Sequence, residues 1–473
     1  MNRHLARMAV IVAVALLSGI AGAADEGPAE VPVRVRQSLA TYLDTFKLGA
    51  EARGSLDAET GWSDAKQNLC LRLLMRLLSA PSAAATEWRT HAGRLEEALR
   101  SPDLFRDRLV RVDGRAVFVA PVKLPPDQAE LHNRGSFDLV RIVADDGGII
   151  DVITDAAPKS WKRWAAIEER SSAVGVAVSG LATGGANGPT PTAADPSRSE
   201  WPADPRRLLL VSPRVAWFPD TPLGRLGMDY GLFDKVVDGS KLLAADADAF
   251  YAMLSAVGRG TRAGIEKVAT PIEDPIPLID PRARWMESHR GDPVRLSGVA
   301  RRAMRIAVDD PARRVELGSD HYWELYVFLP TPTIQIGKTI QDSFPVVCCV
   351  RSLPSDMPFG DSMSEWVEVD GFAMKQYAYS LPGDDKEKDD SGKVDAGKAG
   401  RGAKERRETP LFIGRQAVWK PAPSTKDLTS TLGWVFMGLA ATLAIAMMLA
   451  AWSMARKSGR RNREALPDRV EIE

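Results

Sequence analysis

The sequence predicts an α+β protein with two small β-barrels, each preceded by helices, and one C-terminal transmembrane helix. Three observations lead to that class. Five β-patterned blocks recur in the same order in two parts of the chain. An apolar helical stripe precedes each series. Residues 432–454, "LGWVFMGLAATLAIAMMLAAWSM", run without a charge and are long enough to cross a bilayer.

The two ends define the topology. The N-terminus reads "MNRHLARMAVIVAVALLSGIAGAADE". Arg3 and Arg7 precede a short apolar run, and Ala21, Gly22 and Ala23 supply the small residues of a cleavage site. Residues 1–23 are therefore read as a secretory signal peptide. At the other end Trp434 and Trp452 flank the apolar run, about 27 Å apart at helical rise, as interfacial anchors. Arg456, Lys457, Arg460, Arg461 and Arg463 follow in a basic tail, residues 455–473, which the positive-inside rule places in the cytoplasm. The expectation is a single-pass protein of the inner (cytoplasmic) membrane with its bulk outside the cytoplasm. Gly438 and the alanines near it would permit close helix pairing and a homodimer.

Composition narrows the function. The 473 residues are 45% hydrophobic and 26% charged, an ordinary globular balance. The 62 basic and 62 acidic residues cancel, which argues against general nucleic-acid binding, where phosphate favours a basic excess. Cys70, Cys348 and Cys349 make neither a disulfide framework nor a zinc pattern. The neighbours Cys348 and Cys349 lie in a strand pattern, so their side chains should point to opposite faces.

Between the ends the chain divides in order. Residues 35–103 are read as helical, with Leu69, Leu73 and Leu77 on one side of "SDAKQNLCLRLLMRLLS". The first barrel, 104–220, has strands at 109–119, 137–144, 149–154, 173–181 and 207–218. "DDGG" after the second strand is a hairpin turn, since Asp and Gly tolerate positive φ. "PKSWKRWAAIEER", residues 158–170, reads as a short helix between the third and fourth strands. A connector, 221–285, carries a second helical stripe at 244–257 through Phe250, Leu254 and Val257. Both stripes are expected to pack on their barrels. The second barrel, 286–421, has strands at 293–303, 322–329, 344–351, 366–377 and 410–419. Loops 183–205 and 382–408 interrupt the fourth-to-fifth strand connections and, being poor in apolar residues, are read as disordered.

The recurrence is specific in places. "VRVDGRA" from Val110 matches "VRLSGVA" from Val294. "DLVRIV" from Asp138 lies against "ELYVFL" from Glu324, and "VITDAAP" from Val152 against "CCVRSLP" from Cys348. "VGVAVSGLAT" from Val174 pairs with "WVEVDGFAMK" from Trp366, placing Gly180 over Gly371. "LLVSPRVAWFP" and "LFIGRQAVWKP" both close on Trp-x-Pro, at Trp217 and Trp419. Fixed-order self-similarity of this kind points to a repeated unit. With three strands, a helix and two strands in the first copy, and a turn or short helix, "SDMPFGDSMS", at the helix position of the second, residues 107–219 and 290–421 resemble tandem OB-fold-like barrels, with a split β-sandwich as the structural alternative.

Few residues offer chemistry. "IGKT", ending at Thr339, imitates a phosphate loop, but the first glycine of that motif is replaced by Pro332. The glycine-rich run from Gly180 opens a proline-rich stretch rather than a helix, unlike a dinucleotide site. His4, His91, His132, His289 and His321 are scattered. Aspartate pairs at Asp145, Asp309, Asp384 and Asp389 suit turns better than calcium, which needs more oxygen ligands at fixed spacing. His321, Tyr322, Trp323 and Trp366 are the candidates for an aromatic platform. The sequence thus names no catalytic, cofactor-binding or metal residue. It predicts a membrane-anchored envelope binding or scaffold protein with a protein or glycan partner. The alternatives are an envelope hydrolase without a known motif, and oligonucleotide or glycan binding through the barrel faces.

Overall fold

The computed structural model describes residues 37–57, 63–179, 208–336, 339–379, 407–421 and 425–461. The stretch read as a signal peptide, residues 1–23, the stretches read as the two loops up to residue 406, and the tail beyond Arg461 lie outside the described residues. Residues 1–419 and 420–473 form two units.

The first unit contains two barrels. The first barrel is built from β1 (Gly93–Arg94), β2 (Leu109–Lys123), β3 (Ser136–Ala144), β4 (Ile149–Ala156), β5 (Ala166–Ser179) and β6 (Leu208–Trp217). The second uses β7 (Thr270–Pro271), β8 (Pro293–Ala307), β9 (His321–Ile336), β10 (Thr339–Ser352), β11 (Glu365–Tyr379) and β12 (Arg407–Lys420). In the first, β2, β3, β4, β6 and β5 follow one another and β5 closes on β2; in the second, β8, β9, β10, β12 and β11 do the same and β11 closes on β8. The third and fifth barrel strands run parallel in both. This is the five-strand order expected of OB-like barrels, and closure removes the sheet edges.

Each barrel has the same small additions. β1 pairs parallel with β2 at Val110, and β7 pairs parallel with β8 at Val294. The first-to-second strand ladder bulges at Val117 in one barrel and at Arg301 in the other. Gly114 and Gly298 each lie where a Cβ would come within 2.3 Å of a neighbouring carbonyl oxygen, Val143 O and Phe328 O respectively. Gly175 and Gly371 do likewise against Val211 O and Ile413 O, at 2.2 and 2.7 Å. The tightly coiled sheet requires the missing side chain at these crossings.

These ladders correct two alignments. Val110 pairs with Gly175 and Val294 with Gly371, so Gly175, not Gly180, is the counterpart of Gly371; Gly180 itself lies outside the described residues. Val143 pairs with Arg115 and Phe328 with Val299, so the second-strand block is displaced by one residue. A one-residue slip would turn the wrong side chains inward. In the true register Val140 and Ile142 fill the first barrel as Leu325 and Val327 fill the second.

A third correction concerns residues 158–170, which form turns followed by the start of β5, not a helix. The loop before β12 is also shorter than read, since that strand begins at Arg407.

Two layers of core explain why the strands are apolar on both faces. One layer fills the barrel. The other lies between the barrel wall and a helix. The Asp64–Leu78 helix starts at Ser63, whose hydroxyl accepts the Lys66 N–H, and buries Leu69, Leu73 and Leu77. These side chains share a core with Leu139, Ile153 and Val176 on the wall of the first barrel. The Ala247–Arg259 helix buries Phe250, Leu254 and Val257 in one core with Cys349, Phe372 and Ile413 on the second. Each such leucine contributes roughly 1.5–3 kcal/mol when removed from water.

The barrels differ in one protrusion. β3 and β4 are joined by the turn at residues 145–148, whereas β9 and β10 run on as a two-stranded arm to Ile336 and Thr339. β8 accompanies β9 only as far as Phe328, so the arm from Leu329 outward has β10 as its ladder partner.

The second unit is described by the Thr425–Arg461 helix. Its stretch Phe436–Met454 is long and apolar enough to cross a membrane. The Arg456 guanidinium lies over the Trp452 ring at 4.0 Å.

Candidate binding surface at the end of the second barrel

The residues singled out from sequence fall in separate places. Of "IGKT", Ile336 ends β9 and Thr339 begins β10, while Gly337 and Lys338 lie outside the described residues. His91 bonds the Glu87 carbonyl in its own helix, and His289 stacks on Trp285 at 4.3 Å and bonds the Trp285 carbonyl. His321 bonds Asp320 at 2.6 Å and lies 3.1 Å from the Arg305 guanidinium. Asp146 accepts the Gly148 N–H in the hairpin turn, and Asp310 caps the Pro311–Leu317 helix. Among the described residues no group of three or more His, Cys, Asp or Glu is arranged to hold a metal. The three thiols are free and buried, and burial pushes Cys70 up to about 12. Cys348 and Cys349 do face opposite ways, one into the barrel and one toward the helix.

The aromatic candidates are dispersed. Tyr322 is buried beneath Phe250, 5.2 Å between ring centres. Trp366 is 40% exposed on the outer wall beside Val299. Trp323 lies at the barrel end, against Phe359 at 5.1 Å. The platform expected from sequence is therefore split, and only its barrel-end part gains a partner that sequence did not suggest.

That end is best understood from the first barrel, where it is occupied. After β4 the chain turns at Pro158, with the Trp161 N–H donating to the Pro158 carbonyl at 3.1 Å. This drives Trp161 into the barrel as a plug, 4% exposed. Trp164 then adopts a left-handed backbone (φ 58°) and donates its N–H to Val119 O, so the chain enters β5 instead of a helix. The Trp217 indole N–H donates to Glu169 at 2.7 Å. Arg163 bonds Asp138 at 3.3 Å.

The connector covers this end. Asp229 accepts the backbone N–H groups of Trp217 and Gly231, both at 2.9 Å, and pairs with Arg214 at 2.6 Å. Tyr230 meets the Trp217 ring edge-on at 5.7 Å, and the Gly231 backbone lies against Pro158. Asp234 accepts the Lys159 N–H at 2.9 Å.

The second barrel repeats the frame and changes the fittings. Met357 donates its N–H to the Pro354 carbonyl at 3.2 Å and is buried where Trp161 plugs the first barrel. Gly360 donates to Ala303 O as Trp164 does to Val119 O. The Trp419 indole donates to Glu365, again at 2.7 Å. In place of the Arg163–Asp138 ion pair stand Phe359 and Trp323, in edge-to-face contact. Phe359 is 66% exposed. Among the described residues of the first unit none stands to Trp419 as Asp229 and Tyr230 stand to Trp217. The result is an aromatic surface of Phe359, Trp323 and Trp419 over a sealed barrel. Such a surface can bind apolar or aromatic groups; it holds no nucleophile beside a base.

No family model matches this chain, and no curated protein matches it in sequence.

Proposed function

We propose that this protein is a membrane-anchored, extracytoplasmic binding or scaffold protein of the cell envelope, and that the end of its second barrel is the contact surface for a protein partner. The observation that carries this reading is the unequal treatment of two equivalent ends. The first is covered by the chain's own connector; the second carries an exposed Phe359 where the first has a part-buried arginine–aspartate pair. An exposed aromatic in place of a charge is costly to leave in water and favours a partner. The outer wall across the second and third strands, where OB-folds take oligonucleotides, is partly occupied by the chain's own helices through Leu139, Ile153 and Cys349. This supports a protein over an oligonucleotide. The matching ladders, glycine crossings and Trp–Glu bonds support duplication of one helix-and-barrel module. The basic residues after the apolar stretch support a single pass through the cytoplasmic membrane with the barrels outside.

A photo-crosslinking residue at Phe359 in the full chain, in native membranes, tests the contact surface. A discrete protein adduct is expected there and not from Leu131, an exposed residue beside the first barrel. Equal labelling from both positions, or none from either, would overturn the reading. Impermeant thiol labelling from outside the cell should modify a cysteine placed in the arm at Ile340 and spare one placed in the basic tail. The reverse pattern would remove the topology.

A further inference from the structure

The occupied end of the first barrel is a template for what the second end binds. Segment 229–234 docks on the first barrel through three kinds of contact: an aromatic ring on Trp217, a glycine against Pro158, and two carboxylates. The Asp229 carboxylate pairs with Arg214, whereas the Asp234 carboxylate accepts the Lys159 backbone N–H and the Lys159 ammonium donates to the Asp234 backbone carbonyl. In the second barrel the ring and the proline are retained as Trp419 and Pro354. The cations are not. By strand register Ala156 pairs with Arg214 and Ser352 with Gln416, so Gln416 replaces Arg214. Counting from the matching Pro158 and Pro354 turns, Ser355 replaces Lys159 and Phe359 replaces Arg163. Three cations have become two neutral hydrogen-bonding groups and one aromatic ring.

This proposal rests on the reading that the second end is a binding surface. We propose that it binds, in trans, a segment of a partner protein that docks as 229–234 does: a Tyr–Gly turn laid on Trp419, carrying neutral amide or hydroxyl groups where this chain has Asp229 and Asp234. A backbone N–H at the position of Trp217 can be satisfied by an amide oxygen as well as by a carboxylate. A carboxylate there would lose its cation and still have to shed water, which disfavours it. The added Phe359–Trp323 pair offers an apolar side chain flanking the turn a place to pack.

The probe is a synthetic peptide of residues 228–235, in its native form and with Asp229→Asn and Asp234→Asn, titrated to millimolar concentration against the full chain in detergent. The asparagine peptide should bind about tenfold more tightly than the native one, the order expected for one unpaired, partly desolvated charge. Trp419→Ala should abolish binding, and Phe359→Ala should weaken it about threefold to tenfold. Trp217→Ala should leave it unchanged, because that site is filled from within. Trp419→Phe keeps the ring without the indole N–H and should retain binding if the fold is intact. The proposal is overturned if neither peptide binds, if the native peptide binds at least as tightly, or if binding follows Trp217 instead of Trp419. Crosslinking from Phe359 that survives such a failure would leave the contact surface standing with a different ligand; loss of both would remove the surface itself.

Discussion

The two barrels share a skeleton and differ in what holds the chain against it. At the position of Ser179 in the first barrel the second has Lys375, wholly buried, whose ammonium bonds Asp246 at 2.6 Å and Ser240 at 3.1 Å. Asp246 in turn accepts the N–H groups of Val237 and Leu243. The preceding connector is thereby sewn to β11, with further bonds from Gln376 and Arg290 to Asp238. The first barrel packs its long helix through leucines and holds the Ala50–Asp57 helix by a different cation, the buried Arg53, which bonds Ala177 O on β5 at 3.2 Å and Asp107 at 2.7 Å. The lesson is that a repeated fold preserves crossings, bulges and plugs, while attachment of the neighbouring segment is solved separately each time.

This contrast can be broken at three levels. The largest effect should come from Lys375→Met, which leaves the Asp246 carboxylate buried without its cation and should cost about 3–5 kcal/mol in urea unfolding. Ser179→Ala, the corresponding change in the first barrel, should cost less than about 1.5 kcal/mol. Similar losses at both would mean that the ion pair does not distinguish the modules. Next, Glu169→Leu and Glu365→Leu each strand an indole N–H and should cost about 1–3 kcal/mol. The two costs should match within about 0.5 kcal/mol if the bonds are equivalent; a clear inequality would show that the frames are not.

The smallest effect concerns pH. Glu324 lies on the outer wall opposite Cys349, where the first barrel has Leu139. Burial raises its carboxyl above the usual range, against the pull of the Arg302 guanidinium and a hydrogen bond with Tyr326. A raised carboxyl holds its proton more tightly in the folded state. Its contribution is therefore fully present below the unfolded value of about 4.3 and lost as pH rises through the folded one. Glu324→Gln should shrink the stability difference between pH 4 and pH 8, measured by denaturant midpoint. An unchanged difference would place the pH dependence elsewhere.

Much of the fold could be read from residues because strand order leaves a repeating apolar signature, and because Gly114, Gly298 and Gly371 mark crossings that no other residue allows. The helical stripes of Leu69–Leu73–Leu77 and Phe250–Leu254 were legible for the same reason: one face buries. The stretch at 158–170 misled, since Trp161, Trp164 and Ile167 have helical spacing while the barrel interior claims Trp161 as a plug. Register was ambiguous because a period of two looks alike after many shifts. The pairing of Glu169 with Trp217 and Glu365 with Trp419 could have resolved it. The arm was hidden by Pro330 and Pro332, which read as loop. The binding surface was least legible: Trp323 and Phe359 meet only after the barrel closes, and its meaning depends on what covers the other barrel.

Those prolines also bear on how the chain avoids aggregation while it folds. A two-stranded arm offers a free edge to any other extended polypeptide, and a chain still folding meets many. A proline inside a paired strand sits where its absent N–H would have faced away from the partner strand. Pro330, paired with Ser343, thus removes an outward donor from β9 just past Phe328, where the cover of β8 ends, and Pro332 lies in the ladder's irregularity between the Pro330–Ser343 and Ile334–Gln341 pairs. Replacing Pro330 with valine would leave its pairing with Ser343 in place and create a template for runaway strand addition, so that damage would show as aggregate during folding and not as instability of the finished protein.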